Sequence, residues 1–426
     1  MLETRYQKLV FALIVLTGVC AGFDIGVISG TLPVIKAELS LDLIQLSEIA
    51  GIVFFGALLS KLVSGFLMDI MSRKMVISFG AFLFSISLVL MMLSNTYTTL
   101  MLSRLLQGIS IGFLLTVIPI YIAETSIPKF RGRVMGIFQL SLVSGIFIAN
   151  LLASLFVYDY GWRAIFGLAI PFSIALLIIS VIAPFSPSWL LLKGRNELAI
   201  TTGERLSLEI VGASNSRDKL SILEGMKIFF DRKCLKPIAF ISVLAVLNGF
   251  VGINVFISYA PSIFEEVLGC TQCGSGHYGT TLTLVNLIAT VIGMLLVDIL
   301  GRKRLIIGGL MISFLSMCTL IYLLATGNIN GMLIMLIFVV FGGAVGPGIC
   351  IWLILSEVLP THIRGIGISV ALVSKALIES IFISSFLGLT SVYGFAPVFY
   401  FMGLCMLVFA FLVYKFLPEM TNKELS

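Results

Sequence analysis

Apolar residues run along most of this chain in long blocks, and the charged positions gather between them. Twelve such blocks stand at 9–35, 45–68, 75–94, 98–123, 134–157, 164–183, 237–260, 281–300, 304–325, 332–355, 365–390 and 395–417, the fourth and tenth with polar interruptions. A helix of about 20 mainly apolar residues crosses the hydrocarbon core of a bilayer, and it satisfies every backbone N–H and C=O within its own segment. The pattern therefore predicts an all-α membrane protein with twelve transmembrane helices. The first block is too long for the core of a signal peptide and lacks a small-residue cleavage site, so it is expected to stay attached.

Composition removes the competing classes. A chain of 426 residues has the length of about two or three soluble domains. With 59% hydrophobic and only 11% charged residues, against about 25% charged in soluble proteins, it has too much apolar surface for a water-soluble core to hide. Disorder, collagen, a coiled coil and a nucleic-acid-binding module are excluded as well, since each needs charge, low complexity or a strict repeat.

The charges give an orientation. Of the 27 Lys and Arg residues, all but five fall in the termini and the connections on one side or within three residues of them, Arg5, Arg73, Lys74, Lys129, Arg133 and Lys303 among them. Lys36 and Arg163 fall on the other side, and Lys61, Arg104 and Lys375 lie inside the blocks. Basic residues are retained on the cytoplasmic side, so both termini are expected there, in a cell membrane (the inner membrane if the source is bacterial). Topology is then enough to explain the net charge of +6, and no nucleic-acid partner is needed.

The longest polar stretch, 193–236, separates six blocks from six. Domains are accordingly expected at 1–190 and 237–426, joined by a cytoplasmic linker over 191–236. Within the linker, 196–208 and 218–229 have the pattern of short amphipathic helices, with a flexible 212–216 between them. The two halves echo each other. Asp69 precedes Arg73 by four residues after the second block, and Asp298 precedes Arg302 by four after the eighth; Glu124 precedes Arg131 by seven after the fourth, and Glu357 precedes Arg364 by seven after the tenth. A duplicated six-span unit explains the repetition. These acid and Arg residues are candidate latches that hold helix ends together in one state. Anchoring at the membrane surface explains the bases, but not an acid at the same offset twice.

Further motifs run in order along the chain: Gly22-Phe-Asp24-Ile-Gly-Val-Ile-Ser-Gly30, Ser103-Arg104, Tyr121-Ile-Ala-Glu124, Phe130-Arg131-Gly132, Gly161-Trp162-Arg163, Phe250-Val-Gly-Ile-Asn254, Tyr259-Ala-Pro261, Gly346-Pro347-Gly348, Trp352, Ser356-Glu357 and Pro418-Glu419. Together with the Asp/Arg loops they resemble the major facilitator superfamily, and within it the sugar porter family, over nearly the whole length. The resemblance implies two six-helix bundles around a central cavity and alternating access by rocking of the halves. It also implies transport of a sugar or polyol, and coupling of a proton through an Asp and an Arg at the positions of Asp24 and Arg104. Some residues depart from the family's pattern. Pro184-Phe185-Ser186-Pro187-Ser188-Trp189-Leu190 lacks the two charges usual there, the glutamine pair of the seventh span aligns with Asn248-Gly249, a tyrosine is replaced by Ser258, and Lys375-Ala376 and Glu379 stand where the eleventh span has a polar-aromatic pair and an amide. Gln139, Asn254 and Trp352 keep the pattern.

An ionisable group at the bilayer centre costs at least roughly 2.5 kcal/mol, so each one should face a cavity or a partner. Asp24 and Arg104 share the outer half of the membrane and are placed to meet, either as the proton-coupling pair or as a permanent structural ion pair. Lys375 and Glu379 are four apart and share one helix face. Two readings stand open for them, a self-neutralised pair and a site for a charged substrate such as an amino acid or sugar acid. Lys61 adds a further cation in the second span. Gln139, Asn248 and Asn254 offer hydrogen bonds to hydroxyls, and Trp352, beside a bend expected at Gly346-Pro347-Gly348, offers an apolar face.

No zinc spacing, nucleophile elbow or phosphate loop is present, and His277 and His362 are the only histidines. Neither an enzyme nor a cofactor nor a metal is expected. Cys270 and Cys273 fall in a loop on the outer side as a simple thiol pair or a disulfide; the other cysteines have the look of packing. The expected partners are a small polar solute, a proton and the lipid bilayer, with the chain working as a monomer. Symport leads the transport readings, with uniport and export open. A non-transporting sensor is disfavoured because only about nine residues follow the last block.

Overall fold

The computed structural model describes residues 4–127, 130–208, 232–268, 275–358 and 364–417, and these are almost entirely helical, with no strand among them. The helices are α1 (Arg5–Leu39), α2 (Leu43–Ile70), α3 (Arg73–Leu93), α4 (Tyr97–Thr125), α5 (Arg131–Gly167), α6 (Ile170–Ile182), α7 (Pro187–Leu192) and α8 (Asn196–Leu206). After the linker come α9 (Arg232–Phe250), α10 (Ile253–Leu268), α11 (Ser275–Leu300), α12 (Arg302–Thr326), α13 (Ile329–Gly343), a π turn (Ala344–Gly348), α14 (Ile349–Glu357), α15 (Arg364–Tyr393) and α16 (Phe395–Phe416).

Among the described residues, eleven helical runs are long and apolar enough to cross a membrane. One of them, Arg131–Ile182, has 52 residues, roughly 78 Å of helix, which is more than twice a bilayer core. It holds the fifth and sixth expected spans end to end. Gly161, at φ +78° within α5, makes the break, because no L side chain takes that conformation cheaply. The described helices thus accommodate all twelve expected spans.

Two spans are interrupted. The seventh unwinds between α9 and α10, where Gly252 has φ +84° and any Cβ there would strike the Met402 side chain. The expected single helix over 237–260 is corrected to two, because apolarity measures solubility in lipid and is blind to backbone sign. The tenth passes through the π turn containing Gly346, Pro347 and Gly348, at the expected bend. Pro347 has no N–H to give, and flanking glycines tolerate the rearranged backbone.

Contacts gather the chain into two compact units, one of Met1–Val27, Ile52–Leu152 and Phe156–Lys219, the other of Ile28–Gly51, Ala153–Leu155 and Leu220–Ser426. In the first, α3 packs on α4 and α6. Gly18, Gly22 and Gly26 bring α1 so near α5 that a Cβ on Gly22 would run into the Leu142 carbonyl, the small-residue packing that replaces the hydrophobic effect between helices in lipid. In the second unit α9 packs on α15, and α12 packs on α13 and α16. There Tyr259 donates to the Ile383 carbonyl at 2.8 Å, Ser47 Oγ accepts from Leu387 N–H at 3.1 Å, and a Cβ on Gly51 would stand 2.6 Å from Ser384 Cα.

The linker begins as expected, with α8 over Asn196–Leu206. Thr4 Oγ1 donates to the Arg205 carbonyl at 2.7 Å and Gln7 Nε2 to the Leu206 carbonyl at 3.0 Å, which ties the α8 end to the start of α1. Before it, the loss of charge at Phe185 and Ser188 has a visible compensation. Lys74 Nζ donates to the carbonyls of Val181 (3.0 Å) and Ala183 (2.9 Å) at the end of α6 and lies 4.2 Å from the Phe185 ring centroid. Phe185 in turn stacks on Trp189. Carbonyls and a ring face thus take the place of a carboxylate. The expected helix at 218–229, the flexible 212–216 and the cysteines Cys270 and Cys273 lie outside the described residues. Of the other cysteines, Cys20, Cys350 and Cys405 are buried thiols and Cys318 is an exposed one.

Candidate functional site

Asp24 sits in α1 between Gly22 and Gly26, two of the glycines that press the helix against α5, and Arg104 reaches it from α4. Arg104 Nη1 donates to Asp24 Oδ1 at 2.8 Å and to Gln107 Oε1 at 2.9 Å. Both charged side chains are removed from solvent, at 0% exposure for Asp24 and 2% for Arg104, and the Phe166 ring lies 6.0 Å from the guanidinium carbon. Asp24 Oδ2, Arg104 Nε and Gln107 Nε2 are buried without a hydrogen-bond partner. A guanidinium and a carboxylate can join through two parallel bonds; here one joins them. Two buried charges each make the other tolerable, and the carboxyl oxygen with no partner is where a proton can add without displacing the guanidinium.

The second cluster lies in the other unit, at the two broken spans. Asn248 stands in the last turn of α9, Asn254 in the first turn of α10, Trp352 in α14 just beyond the π turn, and Lys375 and Glu379 one turn apart on α15. Lys375 Nζ donates to Asn248 Oδ1 at 3.0 Å and lies 3.5 Å from Glu379 Oε1. Asn254 Nδ2 donates to the same Glu379 oxygen at 3.3 Å. Lys375 Nζ is 5.9 Å from the Trp352 ring centroid. The result is one polar chain, Asn248 to Lys375 to Glu379 to Asn254, beside an aromatic face. Helix breaks in mid-span leave backbone and side-chain polar groups to serve a ligand or ion. Five of the seven residues expected to meet substrate come together here. Gln139 on α5 and Lys61 on α2 belong to the first unit, and both are half-buried.

Among the latch candidates, one residue from each motif meets. Arg73 Nη2 lies 3.0 Å from Glu124 Oε1, with Arg73 Nε donating to the same oxygen at 3.2 Å and Nη1 to the Met68 carbonyl at 3.0 Å. The start of α3, the end of α2 and the end of α4 are thereby joined. Arg131 Nε donates to the Ser126 carbonyl at 3.4 Å. Arg302 is half-buried at the start of α12 behind Gly301, which has φ +80°. The side chains of Asp69, Asp298, Glu357 and Arg364 lie outside the described residues.

Two participants are invisible to the motif reading. Gln107 is the second partner of Arg104; its signal was an amide one helical turn after an intramembrane Arg, on the same face. Gly249 reads as a glutamine lost, yet a Cβ there would stand 2.9 Å from Glu379 Cγ, so the glycine is the space that admits the glutamate. Nothing in a single sequence couples positions 249 and 379.

Known proteins agree with this architecture. The family model described as "Sugar (and other) transporter" matches residues 10–426. The glucose transporter GlcP of Staphylococcus epidermidis is 29% identical, over 99% of this chain and 96% of its own, and the galactose-proton symporter of Escherichia coli is 29% identical over 96% and 91%. A solved structure of the xylose transporter XylE from E. coli, partially occluded and inward open, superposes with a TM-score of 0.82 at 22% identity, covering 99% of this chain and all of that one. The chain is therefore a multi-pass membrane transporter with the major facilitator fold, and it belongs to the sugar transporter family.

Proposed function

We propose that this protein carries a sugar into the cell together with a proton, by alternating access. The observation that carries this reading is the Asp24–Arg104 pair: a carboxylate and a guanidinium removed from water, joined through one oxygen, with the other oxygen of Asp24 without a partner. With the pair ionised, each charge stabilises the other; with Asp24 protonated, Arg104 keeps Gln107 as its acceptor and the attraction holding α1 to α4 weakens. At an effective dielectric constant of about 20, the Coulomb attraction at stake is on the order of 4 kcal/mol, enough to bias two conformations of a transporter against each other. The relatives named as galactose-proton and arabinose-proton symporters support the same coupling.

In this reading the duplicated halves 1–190 and 237–426 rock about the substrate, the linker 191–236 joins them, both termini face the cytoplasm, and one chain suffices. The Arg73–Glu124 pair and its counterpart in the second half latch one end of the helices, while Gln139, Lys61 and the Asn248–Lys375–Glu379–Asn254–Trp352 cluster line the substrate path. The test is uptake of radiolabelled galactose, glucose and arabinose into proteoliposomes with and without an inward proton gradient. Accumulation above the external concentration is expected only with the gradient. Equilibration indifferent to the gradient would replace symport by uniport, in which Asp24 and Arg104 are a structural pair.

A further inference from the structure

We infer that the sugar this transporter prefers carries a carboxylate, as in a hexuronate, and that Lys375 with Asn248 recognises it. The inference rests on the sugar-symport reading above and names the substrate class for that site. At the Lys375 end of the cluster, hydrogen-bond supply is one-sided. Lys375 has three N–H donors and no acceptor, and Asn248 and Glu379 face two of them. Asn248 Nδ2 is buried with no hydrogen-bond partner, although its own oxygen is taken by Lys375. Glu379 Oε1 already serves both Lys375 and Asn254. The unmet groups at the Lys375 end are donors, so the complementary ligand group there is an acceptor, and a carboxylate offers two oxygens with about four lone-pair sites.

Access points the same way. The Lys375 side chain is 17% exposed and that of Glu379 10%, so the cation is the more exposed member of the pair. When Lys375 turns toward a ligand, Glu379 retains the Asn254 amide as donor and is not orphaned. A neutral hexose would leave the ammonium with hydroxyls only, whereas a carboxylate adds the attraction of opposite charges to the hydrogen bond. Trp352, 36% exposed and 5.9 Å from the ammonium, gives the apolar face of the sugar ring a surface beside its charged end. Electrical balance is met as well, because a proton that enters with an anion makes the cotransported pair neutral. Glu379 has its role without substrate, keeping a lysine in the membrane neutralised.

The experiment uses the purified full-length protein, with binding followed by thermal shift and transport by counterflow in proteoliposomes, for galacturonate, galactose and galactosamine. Galacturonate is expected to bind about tenfold tighter than galactose or more. Lys375→Met should erase that margin, the ratio of galacturonate to galactose binding falling to about one, and Lys375→Arg should keep it, since both arginine and lysine bind carboxylate. Galactose binding as tightly as galacturonate, a margin that survives Lys375→Met, or preference for galactosamine would each overturn the inference, the last by assigning recognition to Glu379. Counterflow of galactose without uronate preference fails this inference alone; counterflow of neither sugar fails the sugar reading beneath it.

Discussion

Replacing Asp24 with Asn tests the coupling directly, because it keeps the shape of the side chain and removes only its charge and its capacity to take a proton. Two effects are expected, and they are separable. The first is on stability. Arg104 is 2% exposed and donates to Asp24 at 2.8 Å; removing one member of a buried pair costs about 3–5 kcal/mol, part of which the Asn oxygen and Gln107 recover. The melting temperature should fall, and the double variant Asp24→Asn/Arg104→Gln should recover most of the loss, since it leaves no uncompensated charge. The second effect is on coupling. One proton per substrate converts each pH unit into about 1.4 kcal/mol, or tenfold, so a gradient of about two units at zero membrane potential limits wild-type accumulation near ~100-fold. The single variant should bring the internal concentration to the external one and no further, while exchange of labelled for unlabelled sugar at equal concentrations continues. Exchange serves as the control that the protein is folded and inserted. Accumulation by Asp24→Asn at the wild-type level would refute the argument, because the proton would then enter without the carboxylate assigned to hold it.

Other consequences follow from contacts at the helix ends and breaks. Glu124→Gln weakens the Arg73 contact, in which a charged hydrogen bond contributes about 1.5–3 kcal/mol; a lower melting temperature in detergent is expected, and an unchanged one would remove the latch. Lys74→Ala should destabilise by about 2 kcal/mol through loss of two carbonyl bonds and the Phe185 contact, whereas Phe185→Glu, which offers Lys74 a carboxylate, should cost far less in the same melting assay. Gly249→Leu cannot coexist with the present position of Glu379, 2.9 Å from a Cβ there, so substrate-induced thermal shifts should shrink markedly. Gly51→Val forces α2 away from Ser384 and should lower transport rate with little change in expression, read by counterflow.

Much of this protein was legible without coordinates. Twelve apolar blocks separated by charge foretell the fold class, because hydrocarbon allows hardly any other structure to such a sequence. Asp24, Arg104, Lys375 and Glu379 stand out because charge in lipid is costly enough to be rare. Lys375 and Glu379 are four residues apart, so helix geometry alone puts them on one face. The pairing of Asp24 with Arg104, eighty residues apart, was expected from depth in the membrane and from the family resemblance, and the 2.8 Å contact realises it.

The remainder depends on backbone signs and on side chains distant in sequence. Hydropathy ran straight through the seventh span, yet Gly252 breaks it and so places Asn248 and Asn254 on either side of an unwound turn. Gly249 looked like a missing ligand until its distance from Glu379 showed that the absent side chain is the room the carboxylate occupies. No spacing in the sequence names the partner of Arg73, and packing of α3 against α4 brings Glu124 to it. Sequence alone determined which residues enter the membrane and which charges must be neutralised there, since transfer cost is a property of each segment by itself. Which groups neutralise which, and which donor is left over for a ligand, was decided only by the tertiary structure, because hydrogen bonds and ion pairs are set by ångström distances between helices that no local pattern encodes.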